Sequence, residues 1–214
     1  MKHRIYPYVL KILMVVLGCF IIALAFDFYL KSNIGGDSMT VFIEGAGITF
    51  GQPLGTVVIV VNITLIAFMA IFDYKKVGSG TVIIALSYGL ILSFVVKVSP
   101  IVESPNLVMS LLYCLCGCTL AAIAITMWLV AKLGYSPLEG VVAIIANKTK
   151  KSFTFFKVIV DITLLFTGFL MGGTFLYGTI IASFLVGPLI GIFIKLYNKL
   201  TINNSNGILT KIDK

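Results

Sequence analysis

Charge is scarce in this 214-residue chain: Asp, Glu, Lys and Arg together make up 11% of it, and only eight residues are acidic. Soluble domains carry about 25% charged residues, so a soluble fold of this size could not cover its apolar side chains. There is one histidine, His3, at the very start of the chain. A Ser-His-Asp arrangement or an imidazole-bearing metal centre therefore has almost nothing to build on. The four cysteines, Cys19, Cys114, Cys116 and Cys118, include no CxxC pair and lie in apolar runs, where cysteine behaves as a small hydrophobe. No nucleotide-binding glycine motif occurs. An enzyme is not expected on these grounds, nor is a catalytic residue, a metal or a cofactor. The net charge of +8 comes without an aromatic-rich basic patch or zinc-ligand spacing, so no nucleic-acid partner is expected.

What is present is apolar length. Hydrophobic residues form 59% of the chain, in continuous runs of the ~17–25 residues needed to cross a bilayer core as helix. Barrel strands would alternate polar and apolar positions over about ten residues, and these runs do not. The predicted spans are about Tyr8–Lys31, Leu54–Phe72, Ser79–Val98, Leu107–Ala131, Phe155–Gly172 and Tyr177–Leu196. The first resembles a signal peptide but is read as a retained helix, because it has a counterpart later in the chain. A single membrane domain over about 1–200 is expected, followed by a polar tail over 201–214.

Basic residues orient the chain. With both termini cytoplasmic, 14 of the 16 Lys and Arg residues fall on the inner side, as the positive-inside rule requires. A plasma-membrane protein with the lipid bilayer as its first partner follows.

The chain also repeats itself. At an offset of 99, Gly18-Cys19 matches Gly117-Cys118, and Asn62-Ile63-Thr64-Leu65 matches Asp161-Ile162-Thr163-Leu164. After a one-residue gap, Gly80-Thr81 matches Gly178-Thr179, and Gly89 matches Gly187. A colinear series of this kind indicates duplication. Repeat one covers about 8–98 and repeat two about 107–197. Three spans per copy is odd, so the second copy must enter the membrane inverted. The predicted fold is an all-α membrane protein: about six transmembrane helices and two short re-entrant or interfacial helices, arranged as two inverted three-helix repeats.

The short helices follow glycine turns. The first runs from Asp37, a candidate N-cap, to about Phe50. The second has Ser136 at the N-cap position, Pro137 at N1 and Glu139 at N3, which reads as a capping box. At ~16–21 Å they are too short to span. Their N-termini, with free N–H groups and positive dipole ends, are candidate holders of an anionic group, against ordinary capping and packing as the alternative. Within the spans, ionisable or amide groups are costly and point to function. Asn62 and Asp161 stand out because the repeat places them at equivalent depths. Asp27 and Asp161 each have a lysine one turn away, Lys31 and Lys157, and local pairing competes with a buried role. The candidate substrate-binding residues are Asp37, Glu44, Asn62, Ser136, Glu139 and Asp161.

The turns Ile34-Gly35-Gly36-Asp37 and Leu133-Gly134-Tyr135-Ser136-Pro137 carry a resemblance, as do Gly80-Thr81 through Gly89 and Gly178-Thr179 through Gly187-Pro188. Over about residues 10 to 197 the chain resembles the YczE/YyaS/YitT family of bacterial integral membrane proteins. It departs in having Ser38 where the second copy has Pro137. The resemblance implies a bacterial plasma-membrane protein and supplies no substrate. Inverted repeats recur in secondary transporters, with substrate held between the copies. A secondary transporter for a small polar or ionic substrate is therefore the leading expectation. A substrate-binding subunit of an ATPase-driven importer and a non-transporting assembly partner are the alternatives. Oligomeric state is left open.

Overall fold

The computed structural model describes the backbone of residues 2–209 and the side-chain surroundings of residues 8–200. Among them the regular elements are helical: α1 (Lys2–Ser32), α2 (Ser38–Phe50), α3 (Leu54–Asp73), α4 (Ser79–Val98), α5 (Leu107–Ala131), α6 (Pro137–Thr149), α7 (Phe153–Leu170) and α8 (Tyr177–Leu209). Six helices are long and apolar enough to cross a membrane. The short helices α2 and α6 have 13 residues each, about 20 Å at 1.5 Å per residue. The protein is an all-α membrane protein of the expected plan.

Two boundaries differ from those read in the sequence. α7 begins and ends two residues early, at Phe153 and Leu170, because Ser152 caps it by accepting from the Phe155 N–H at 3.1 Å and Gly172 leaves helical geometry at φ +94°. α8 runs on through Leu209 with Pro188 inside it, so the first part of the polar tail is helical in backbone. Residues 210–214 of that tail lie outside the described residues.

The duplication is visible in how the copies hold each other. α1 packs along α5 at the centre of the molecule. There Gly18 lies against Trp128 and Gly117 against the Tyr29 ring, and both pairs are related by the same offset of 99. Each glycine removes the Cβ that would otherwise keep the aromatic ring off the facing backbone. The turns interlock in the same reciprocal way. The Gly80 N–H donates to the Leu133 carbonyl at 2.8 Å, and the Gly178 N–H donates to the Ile34 carbonyl at 2.9 Å. Gly35 and Gly134 turn the chain at φ +88° and +118°, a region open to glycine at little cost.

The symmetry breaks on one side. α3 packs closely on α4, with Gly55 and Gly89 backbone to backbone. In the second copy the position of Gly55 is Thr154, and a Cβ on Gly187, the counterpart of Gly89, would meet nothing within 4 Å. α7 and α8 stand apart. They are also the spans with the least protein cover, 6% and 11% buried against 28–39% for the other four.

Candidate functional site

The gap between α7 and α8 continues inward as a cavity of about 1150 Å³ between the two copies. Both short helices point their N-termini into it: Asp37 and Ser38 of the first copy, and Ser136 and Glu139 of the second, are on its wall. α2 reaches this place by running parallel to α7. Ser38 meets Asp161, Gly45 meets the Gly168 carbonyl, and Thr49 at the far end meets the Met171 carbonyl. Gly45 and Gly168 let the two backbones touch, which sets α2 deep enough for its first turn to face the cavity.

Asn62 and Asp161 line the same cavity. Each is the ninth residue of its helix, counted from Leu54 and Phe153, as the offset of 99 requires. Asn62 is 4% exposed, and its Nδ2 has no hydrogen-bond partner. A buried polar group left unmatched costs about 1–3 kcal/mol, a cost that a bound polar group would remove. The Ser136 hydroxyl is likewise buried without a partner.

Asp161 accepts from the Ser38 hydroxyl at 2.8 Å and from Lys157 at 2.7 Å. The pair with Lys157 forms as its one-turn spacing suggests, yet both residues also face the cavity. Ser38 does here what a proline at its place could not. Asp37 caps α2 by accepting from the Thr40 N–H at 2.8 Å. Enclosure by the surrounding helices pushes its carboxyl above the ordinary value, against the pull of the Thr40 hydrogen bonds.

Two expectations change, and for Asp27 the structure decides between two open readings. The capping box at α6 does not form: Ser136 occupies the N-cap and Pro137 follows it, but the serine side chain makes no cap bond. Glu139 instead lines the cavity and a smaller adjoining cleft of about 340 Å³ that it shares with Lys132. Glu44 is not on the cavity wall. Its two carboxylate oxygens accept from the Thr174 N–H and hydroxyl, each at 2.8 Å, so it holds the α7–α8 connection onto α2. Asp27 is fully buried and accepts from Ser99 rather than pairing with Lys31. The structure thus collects Asp37, Asn62, Ser136, Glu139 and Asp161 around one cavity and sends Glu44 elsewhere.

The DUF6198 family, described as a family of unknown function, matches residues 9–195. The chain belongs to that family. No curated protein and no solved structure matches it. The matched DUF6198 region takes in both copies and every residue of the cavity wall. It also contains wall residues that sequence reasoning did not single out, namely Tyr29, Tyr88, Trp128 and, as a cavity group, Lys157. Tyr29 and Trp128 carried a usable signal, since they are equivalent under the offset of 99. Tyr88 carried none, because its counterpart in the second copy, at the local offset of 98, is Val186.

Proposed function

We propose that this protein is a secondary transporter of a small polar or ionic solute in a bacterial plasma membrane, with its site in the cavity between the inverted copies. One observation carries the reading. Polar groups from both copies converge on a single cavity, and one of them, Asn62, is buried with an unpartnered amide nitrogen. Substrate sites of inverted-repeat transporters lie at the repeat interface and use the N-termini of broken or short helices. A non-transporting assembly partner has no use for an open space at its centre, and the cavity weighs against that alternative. The cytoplasmic placement of both termini rests on the basic residues. Kinship with the YczE/YyaS/YitT proteins fits the same picture, since the glycine turns behind that resemblance position the two short helices.

The test is counterflow in proteoliposomes with a radiolabelled panel of amino acids, sugars, nucleosides and organic amines. At least one should accumulate above empty liposomes. Asn62→Leu should cut that accumulation by about tenfold or more, the scale of a lost buried polar contact of about 1.4 kcal/mol. Expression and melting temperature should stay near wild type, because leucine suits a membrane helix. Equal accumulation by wild type and empty liposomes across the panel would remove the transport reading.

A further inference from the structure

The cavity carries more acid than base. Asp37, Glu139 and Asp161 line it together with Lys157. The short contact of Lys157 is with Asp161, which leaves Asp37 and Glu139 without a close cationic partner among the described residues. Lys132 faces the smaller adjoining cleft and not the main cavity.

An anion would normally be drawn to helix N-termini. Here a carboxylate already stands at each of them. Asp37 caps α2, and Glu139 sits in the first turn of α6. The wall beside Asp37 is aromatic: Tyr29, whose ring packs against Gly36, and Tyr88 both line the cavity and are 2% and 7% exposed. The Trp128 ring meets Tyr88 edge-on, with centroids 6.5 Å apart. Aromatic faces next to carboxylates favour a cation of low hydration. The buried Asn62 amide on the same wall has unpartnered N–H donors, which marks a place prepared for a ligand that also carries a hydrogen-bond acceptor. Toward the α7–α8 gap the lining turns apolar, with Ile162, Phe166 and Phe184.

We propose that the solute is an amphiphilic organic cation: an amine, quaternary ammonium or phosphonium centre carried on apolar substituents, with an oxygen acceptor that the Asn62 N–H groups meet. Its charge lies beside Asp37 and Glu139 and against the tyrosine rings, and its apolar part extends into the α7–α8 gap. This deepens the transport reading and rests on it.

The experiment uses the purified full chain in detergent with tetraphenylphosphonium and tetraphenylborate, ions of one shape and opposite charge. Trp128, the chain's one tryptophan, lies on the cavity wall and reports binding by its emission. Empty micelles are the blank. Tetraphenylphosphonium should quench the emission saturably, and tetraphenylborate should not. Asp37→Asn and Glu139→Gln should each weaken tetraphenylphosphonium binding by about tenfold or more, as loss of a desolvated charge partner does. Asparagine still caps a helix, so α2 is retained in the first variant, and an unchanged melting temperature checks both.

Equal or tighter binding of tetraphenylborate overturns the proposal. So does unaltered tetraphenylphosphonium binding by both carboxamide variants, or no saturable binding of tetraphenylphosphonium at all. The counterflow panel separates this failure from the broader one. Uptake of a neutral or anionic solute that depends on Asn62 would leave the transporter standing and only the cation wrong.

Discussion

At the residue scale, small differences between equivalent positions decide what each half does. Gly55 and Gly89 bring α3 and α4 into backbone contact, whereas Thr154 and Gly187 leave α7 and α8 apart. Gly89→Leu places atoms on the Gly55 carbonyl and the Ile59 side chain. It should lower stability by about 1–3 kcal/mol, the usual cost of overpacking, and appear as a reduced melting temperature. Gly187→Leu meets open space, and leucine favours helix over glycine by up to about 1 kcal/mol. That variant should melt no lower than wild type. Its side chain would still enter the cavity wall, so counterflow should fall. A parallel loss of stability in both variants would show that α7 and α8 are in fact closely packed.

At the element scale, much was readable and the misses share a cause. Span lengths and glycine turns follow from local composition, and the match of Asn62 with Asp161 follows from the repeat. Long-range polar partners do not. Glu44 finds Thr174 across 130 positions, and Ser99 finds Asp27 across 72. The Ser136-Pro137-Glu139 pattern was a sound local signal for a cap, and it lost to the cavity that Glu139 faces. The α7–α8 gap was hidden because Thr154 looks unremarkable until Gly55 is seen touching Gly89. α8 poses its own question, since its backbone continues through Leu209 beyond the apolar span that ends at Leu200. Truncation after Leu200 should leave membrane accumulation and counterflow intact, because the last residues are polar and follow the span. Loss of the protein from the membrane fraction would make that segment part of the fold.

At the scale of the whole molecule, orientation can be tested directly. In a cysteine-free variant, Lys150→Cys at the end of α6 should react with an impermeant maleimide only after the cells are opened, because the positive-inside rule places this basic cluster in the cytoplasm. Labelling of intact cells would turn the molecule over. The reciprocal bonds from Gly80 to Leu133 and from Gly178 to Ile34 have a consequence for biogenesis. A nascent chain halted after α4 has three spans in the bilayer, a turn at Ile34 that lacks its donor and a helix start at Gly80 that lacks its acceptor. The first half is therefore incomplete in its hydrogen bonding until the second has been made. The same reciprocity lets two separately synthesised halves complete each other, which is how an ancestral single-copy protein, inserted in both orientations, would have assembled as a pair.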